Sequence, residues 1–276
     1  MRPNRLKQLW QENKTAVNAW ITIPSSWTAE VMANAGFDAM TIDAQHGLAS
    51  DASAILPILQ AISTTNTVPL VRVPWNDPAT HMRMLDMATH MRMLDMGAYG
   101  VICPMVNNRQ ESEKFVGACR YIPNGYRSLG PVRASLYGGD DYFDRAIDEI
   151  VTLTMIETAE GLKNVEDIAK TPTMTGFYIG PWDLSISLRR PKQGDFDDIE
   201  MLKAFEKVLN AAEKNNLVSG IQCPSPEVAV RMSEMGFRFV TAVSDTTLLK
   251  QGAMEGLQIF HQSQNSETAK TNNPYS

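Results

Sequence analysis

The chain has 276 residues, 43% hydrophobic and 20% charged, the balance of a globular protein with one sizeable core. Its net charge of −6 and pI near 5.3 argue against a nucleic-acid partner, which requires a basic face. A membrane span and a secretory signal are not expected either, because no suitable apolar stretch is present. Three widely spaced cysteines without a C-x-x-C motif predict reduced thiols in a cytoplasmic protein.

Short segments rich in β-branched and apolar residues alternate with longer amphipathic segments along the chain. The predicted strands are residues 17–23, 38–43, 68–73, 99–103, 151–157, 175–180, 217–222 and 238–243. Apolar residues at helical spacing predict helices between them, including 53–63, 109–120, 200–214 and 226–235. Because alternating strands and helices build a parallel sheet, eight such units predict a single-domain α/β protein, a (β/α)8 TIM barrel over residues 1–262.

The carboxyl-terminal part of the chain divides into a helix and a polar tail. The helix is predicted to begin after Asp245, a suitable N-cap residue. Its apolar residues recur on one side, at Leu249, Ala253, Leu257 and Phe260. Residues 263–276 are polar and lack periodicity, so they are predicted to form a disordered tail.

One segment is duplicated: residues 79–87 and residues 88–96 both read ATHMRMLDM. Nine residues make about two and a half helical turns, so in a continuous helix the second copy faces about 180° from the first. Both copies therefore cannot present the same stripe to the barrel. The extra residues must be looped out, kinked or carried by a longer helix. A neutral duplication or a sequence error explains the repeat as well as a functional purpose does.

Five ionisable residues end or follow predicted strands, at the face where barrel enzymes place their active sites. These residues are Asp43, His46, Arg72, Glu157 and Asp183. Each one alone is as compatible with a helix cap or a surface loop as with a site. Because a buried charge is costly unless it is paired or metal-bound, their meeting at one rim favours a functional site.

Glu157 and Asp183 follow adjacent predicted strands and suit a hard divalent cation. Mg²⁺ or Mn²⁺ is preferred, with Co²⁺ as a further candidate; zinc is disfavoured because the sequence lacks zinc-binding Cys and His spacings. An open-sided cation of this kind polarises a carbonyl and stabilises an enolate. A glycosidase also uses two carboxylates, but that function leaves Arg72 and His46 without a role.

The other three residues of the set suit proton transfer and anion binding. Asp43 lies three residues before His46 and is expected to orient the imidazole as an acid–base pair. Arg72 offers a permanent cation to a carboxylate or a developing oxyanion. No lysine lies within a predicted strand, which disfavours a Schiff base, and no glycine-rich phosphate cradle appears, which disfavours a phosphorylated substrate.

Specific motifs run through the chain in a fixed order. They are TIDAQHG (41–47), PLVRVPWNDP (69–78), LDMGAYGVICPMV (94–106), GYRSLGPVRA (125–134), MIET (155–158) and GPWDLS (180–185). In these motifs the chain resembles the HpcH/HpaI family, the class II pyruvate aldolases of the phosphoenolpyruvate/pyruvate barrel superfamily. The resemblance covers roughly residues 5–262.

The resemblance implies a metal site and a place for the substrate. Glu157 and Asp183 would bind the divalent metal, which would chelate the carboxylate and keto oxygens of pyruvate. Backbone amides around Gly180, Trp182 and Asp183 would help to hold the carboxylate. The implied enzyme is an aldehyde-lyase that cleaves or forms 4-hydroxy-2-oxo acids, giving pyruvate and an aldehyde. The candidate substrate is 4-hydroxy-2-oxoheptanedioate, which would release succinate semialdehyde.

The resemblance also implies roles for the remaining site residues. Arg72 would steady the enolate oxygen, and His46 paired with Asp43 would manage proton transfer. An aspartate before a Gly-Ala pair would reach into a neighbouring subunit, because family members are typically hexamers. Asp95 matches that motif and is favoured, although Asp86 lies at the distance from Arg72 that an unduplicated chain would show.

Two departures from the family pattern bear on substrate preference. Gln45 stands where many members have Glu, and Met155 stands where some have Gln. Two other functions are compatible with the same sequence. One is a related barrel lyase acting on oxaloacetate or an acyl-CoA thioester, and the other is a non-catalytic barrel damaged by the 79–96 duplication.

Overall fold

Eight parallel strands form a closed barrel in which each strand pairs with its neighbours in chain order. The computed structural model describes residues 1–74 and 86–271. The strands are β1 (Ala16–Ile21), β2 (Ala39–Asp43), β3 (Val68–Arg72), β4 (Gly100–Cys103), β5 (Val151–Ile156), β6 (Gly176–Ile179), β7 (Val218–Gln222) and β8 (Phe239–Ser244). Every predicted strand is observed, and the (β/α)8 barrel is confirmed.

Helices follow the strands and surround the barrel. They are α1 (Arg5–Gln11), α2 (Ser26–Ala33), α3 (Ala52–Ile62), α4 (Asp86–Asp95), α5 (Arg109–Ala118), α6 (Val132–Gly138), α7 (Tyr142–Glu149), α8 (Ala159–Lys163), α9 (Val165–Ile168), α10 (Pro181–Ser187), α11 (Ile199–Lys214), α12 (Pro226–Met235) and α13 (Asp245–Thr271). Several begin at the side-chain caps that the sequence offers. Asp51, for example, accepts hydrogen bonds from the N–H groups of Ser53 and Ala54.

The second copy of the duplicated segment forms most of α4. Met93 and Leu94 of this copy are buried, and the helix is followed by Gly97, whose φ of 98° is in the left-handed region. Residues 75–85, which include most of the first copy, lie outside the described residues. The second copy is therefore the one that leads into β4.

The last helix includes Asp245, which was predicted as its N-cap, and continues to Thr271. The capping side chain is Ser244, whose Oγ accepts the backbone N–H of Thr247 at 3.2 Å. Residues 263–271, the first part of the segment predicted as a polar tail, continue this helix. The segment contains no glycine or proline that would stop the helix. Leu249, Leu257 and Phe260, on the predicted apolar side of α13, are all more than half exposed.

No helix of the described residues is long and apolar enough to cross a membrane. The three cysteines are free and buried. Much of the barrel interior is apolar, but Asn18, Thr41 and Thr241 form a fully buried polar row on β1, β2 and β8. This row lies beneath the carboxyl ends of the strands, where the predicted site residues gather.

Candidate active site

A cavity of about 220 Å³ opens at the carboxyl ends of the strands. Six of the predicted site residues line it: His46, Arg72, Glu157, Gly180, Trp182 and Asp183. Two larger depressions lie beside α1, away from these residues. The concentration of charge, and not the cavity size, therefore marks this end of the barrel as the site.

Asp43 and Arg72 form a closed ion pair on one side of the cavity. They stand opposite each other in the register of β2 and β3. The guanidinium donates from Nε to Oδ1 at 2.9 Å and from Nη2 to Oδ2 at 2.6 Å. Trp20 donates from Nε1 to Oδ2 at 3.1 Å. Burial raises the pKa of Asp43, but Arg72 and Trp20 outweigh it and hold the pKa below its usual range.

His46 lines the cavity, but its link to Asp43 differs from the expected one. Asp43 accepts the backbone N–H of His46 at 3.2 Å, together with that of Gln45 at 3.0 Å. Among the side chains that the structure describes, no hydrogen bond joins the imidazole to Asp43. The reason is that Arg72, Trp20 and the two backbone amides already occupy the carboxylate. Asp43 therefore shapes the turn that carries His46 and does not orient its ring.

Glu157 directly follows β5 and is almost completely buried. Its Oε1 accepts the backbone N–H of Met105 at 2.7 Å, and Met105 holds a left-handed φ of 57°. Burial raises the pKa of Glu157 to about 7; the Met105 N–H opposes this rise, and the nearby charge of Asp183 adds to it. A buried carboxylate beside a second one is unfavourable without a cation.

Gly180 allows the backbone to approach the second oxygen of Glu157 closely. A Cβ atom at position 180 would lie 2.5 Å from Oε2 of Glu157. Pro181 then starts α10 and places Asp183 in its first turn, where both Asp183 and Trp182 are exposed to the cavity. The glycine therefore leaves room for the Glu157 carboxylate beside the turn that leads to Asp183.

The pair of Glu157 and Asp183 fits a hard divalent cation. Mg²⁺ in proteins usually takes one or two carboxylates and keeps its other positions for water and substrate. A cation between the two side chains would also relieve the repulsion that contributes to the raised pKa of Glu157. In the described parts of the chain, no group of three or more His, Cys, Asp or Glu side chains is placed to hold a metal ion.

Asp95 lies outside the cavity, at the carboxyl end of α4. It accepts a hydrogen bond of 2.6 Å from Nη2 of Arg127. The guanidinium of Arg127 is itself buried, with its central carbon 4.5 Å from the ring centroid of Tyr121 and 5.5 Å from that of Tyr142. Burial raises the pKa of Asp95 despite this pairing. Within one chain, then, Asp95 is held rigidly but away from the cavity; the side chain of Asp86 is not described.

Several cavity residues were not predicted as site residues: Trp20, Met155, Tyr178 and Gln222. The ring of Trp20 stacks on Tyr178 at 5.7 Å and lies 5.0 Å from the guanidinium carbon of Arg72. Gln222 ends β7, and the position rule that found Glu157 would also have found it. The Met105 amide has no sequence signal, because any residue supplies a backbone N–H.

Comparisons with known proteins agree on one family. The chain is 36% identical over 253 residues to a hydroxypyruvate/pyruvate aldolase from Rhizorhabdus wittichii, covering 91% of this chain and 96% of the relative. It is 33% identical over 273 residues to a 4-hydroxy-2-oxo-heptane-1,7-dioate aldolase from Shigella flexneri, covering 98% of each.

A solved structure and a family model extend this agreement. An HpcH/HpaI aldolase/citrate lyase family protein from Burkholderia cenocepacia superposes with a TM-score of 0.82 at 28% identity, covering 94% of this chain and 99% of that one. The family model described as HpcH/HpaI aldolase/citrate lyase matches residues 18–251. The chain therefore belongs to the HpcH/HpaI aldolase/citrate lyase family, whose members are aldolases and lyases.

Proposed function

We propose that the protein is a divalent-metal-dependent aldolase that cleaves or forms 4-hydroxy-2-oxo acids through a pyruvate enolate. One observation carries the proposal: Glu157 and Asp183 face a single cavity beside Arg72, and the pKa of Glu157 is raised to about 7. This is the charge pattern of a site that is completed by a cation and an anionic substrate. The names of the relatives, which are pyruvate and 2-oxo acid aldolases, support the same reaction class.

In this proposal Glu157 and Asp183 hold Mg²⁺, Mn²⁺ or Co²⁺. When bound, the cation supplies a Lewis acid for the carboxylate and 2-oxo oxygens of the substrate. The backbone N–H of Met105 fixes one oxygen of Glu157 and leaves the other directed to the ligand side. Gly180 and Trp182 provide the adjoining wall, where backbone amides help to hold the substrate carboxylate.

Arg72 stabilises negative charge on the substrate oxygen as the C3–C4 bond breaks. Its guanidinium is held in one orientation by both oxygens of Asp43 and by the face of Trp20. His46 lies at the exposed mouth of the cavity and takes the proton from the 4-hydroxyl, directly or through water. The aldehyde then leaves, and the enolate carbon is protonated to give pyruvate.

We further propose a cytoplasmic homo-oligomer, with a hexamer as the expected form. Two features of the single chain support assembly. The apolar side of α13 is exposed, and Asp95 is fixed by Arg127 at a surface position outside its own cavity. In an assembly Asp95 would contribute to the site of a neighbouring subunit, and Asp95→Asn should then lower turnover without changing the metal affinity.

The function is tested by mixing metal-free enzyme with 4-hydroxy-2-oxoheptanedioate and following pyruvate with a coupled assay. Pyruvate should form only after Mg²⁺, Mn²⁺ or Co²⁺ is added, and EDTA should abolish it. A panel of aldehydes incubated with pyruvate then identifies the aldehyde partner. Faster turnover of oxaloacetate or of an acyl-CoA thioester would replace the aldolase proposal, and an inactive monomer would point to a non-catalytic barrel.

A further inference from the structure

A chain of buried hydrogen bonds crosses the barrel interior and ends at the cavity. The hydroxyl of Thr41 donates to Oδ1 of Asn18 at 3.0 Å. The amide nitrogen of Asn18 therefore faces the other way and donates to Oγ1 of Thr241 at 2.8 Å. All three side chains have no exposed surface, so a polar hydrogen without an acceptor here would be costly.

The next two hydrogen bonds continue to the cavity in the same donor-to-acceptor order. The hydroxyl oxygens of Thr241 and Tyr178 are 2.6 Å apart, and the hydroxyl of Tyr178 lies 2.9 Å from Oε1 of Gln222. Tyr178 has one hydroxyl hydrogen, and Thr241 needs an acceptor for its own. Both hydroxyl hydrogens have an acceptor when Thr241 donates to Tyr178 and Tyr178 donates to Gln222. With the opposite amide orientation, either the Tyr178 or the Thr241 hydroxyl hydrogen would have no acceptor among the described residues.

The chain of donors therefore fixes the amide of Gln222. Its oxygen is occupied by Tyr178, and its nitrogen retains two N–H groups for which the described residues provide no acceptor. Gln222 lines the same cavity as Glu157 and Asp183. At this part of its wall, the cavity therefore presents a neutral hydrogen-bond donor and not an acceptor.

We propose that Gln222 is a substrate-binding residue that donates to an oxygen on the aldehyde-derived half of the substrate. This inference rests on the proposed aldolase function, which assigns the pyruvate oxygens to Arg72 on β3 and to the ligands after β5 and β6. Gln222 ends β7, beyond those ligands in strand order. Tyr178, Thr241 and Asn18 act as positioning residues behind it.

The inference predicts a preference for aldehydes that carry a hydroxyl or carboxylate oxygen over plain alkyl aldehydes. Glycolaldehyde and propionaldehyde form a matched pair of probes, because they have the same number of non-hydrogen atoms and differ by one hydroxyl. In aldol addition with pyruvate and Mn²⁺, the wild type should favour glycolaldehyde in kcat/KM. Gln222→Leu should lower the glycolaldehyde-to-propionaldehyde ratio about 5- to 10-fold, the value of one neutral hydrogen bond.

Tyr178→Phe tests the positioning role, because it removes the hydroxyl that orients the amide and keeps the ring. It should lower the same ratio about threefold, with KM for glycolaldehyde rising more than kcat falls. Gln222→Glu should weaken succinate semialdehyde more than glycolaldehyde, because two carboxylates would then meet. Ser219→Ala, on the same strand but outside the cavity, is the matched control and should leave the ratio unchanged.

An unchanged ratio in Gln222→Leu overturns this inference while leaving the aldolase function standing. A ratio that falls equally in Ser219→Ala also overturns it, since the effect would then come from disturbing β7. If the wild type forms no adduct with either aldehyde, the proposed function fails and the inference fails with it.

Discussion

Two carboxylates at the same rim of the barrel have opposite electrostatic surroundings. Asp43 at the end of β2 is paired with both nitrogens of the Arg72 fork, and its pKa lies below the usual range. Glu157 after β5 has a single backbone N–H from Met105, stands near Asp183, and has its pKa raised to about 7. Both are almost fully buried. The rim therefore has a neutralised side that fixes an arginine and an unneutralised side that, under the proposed function, a cation would complete.

This contrast shows that burial at a strand end does not by itself identify a metal ligand. The partner on the neighbouring strand decides between the two roles. Arg72 stands directly across from Asp43, whereas the neighbour of Glu157 is a second acid that follows a glycine.

The largest effect is expected for catalysis in Glu157→Gln. Removing one of two charged ligands should lower pyruvate release from 4-hydroxy-2-oxoheptanedioate by more than about 1,000-fold and abolish Mn²⁺ binding in calorimetry. Glu160→Gln, an exposed residue on α8, is the control and should behave as the wild type. Retention of Mn²⁺ affinity by the Glu157 variant would show that the metal is bound elsewhere.

Substitution of Asp43, on the paired side of the rim, should lower the stability of the fold. Asp43→Asn leaves the Arg72 guanidinium buried without its counter-charge, which should lower the free energy of unfolding by about 3 kcal/mol. Urea denaturation at one fixed protein concentration measures this change. Asp140→Asn replaces an exposed carboxylate and should have little effect. Equal stability of the Asp43 variant and the wild type would mean that the ion pair contributes no net stability.

Substitution of Glu157 should change the free energy of unfolding in the opposite direction to Asp43→Asn. The pKa of Glu157 is 4.5 in the unfolded chain and about 7 in the folded, metal-free protein. Between these values the folded state binds more protons, so its stability falls as pH rises through the window. In EDTA at pH 8, Glu157→Gln should raise the free energy of unfolding by roughly 2–3 kcal/mol, with no gain below pH 4.5.

A metal titration provides the control for that stability change. Mn²⁺ should stabilise the wild type at pH 8 and leave Glu157→Gln unaffected, because binding to the folded state shifts the unfolding equilibrium. Destabilisation of the glutamine variant in EDTA at pH 8 would instead mean that the carboxylate is well compensated without a cation.

The smallest effect is expected for Gly180→Ala. The added methyl group would lie 2.5 Å from Oε2 of Glu157 and must displace that carboxylate. Mn²⁺ affinity should fall about 10-fold while the circular dichroism spectrum stays unchanged. Gly130→Ala is the matched control, because a Cβ at that position meets no atom within 4 Å. Unchanged affinity would show that Glu157 has room to relax.

The sequence determined the barrel and most of the residues at its rim. Short apolar and β-branched runs predict the eight strands, and apolar residues at helical spacing predict the helices between them, because both patterns reflect which surface must be buried locally. Because the carboxyl ends of barrel strands share one face, the sequence also predicts that a set of ionisable residues meets there: His46, Arg72, Glu157 and Asp183. The last helix continues past residue 263, where the polar tail was predicted to begin, because a polar composition does not itself stop a helix and residues 263–271 contain no glycine or proline.

The tertiary structure alone decided how these residues are paired. The register of β2 against β3 assigns Asp43 to Arg72 and not to the His46 ring, although His46 is nearer in sequence. The position of Asp95 against Arg127, the Met105 amide on Glu157 and the donor chain from Thr41 to Gln222 all join residues from distant segments. Local sequence cannot encode such pairs visibly, because hydrogen-bond direction and charge compensation depend on atoms that only barrel closure brings together.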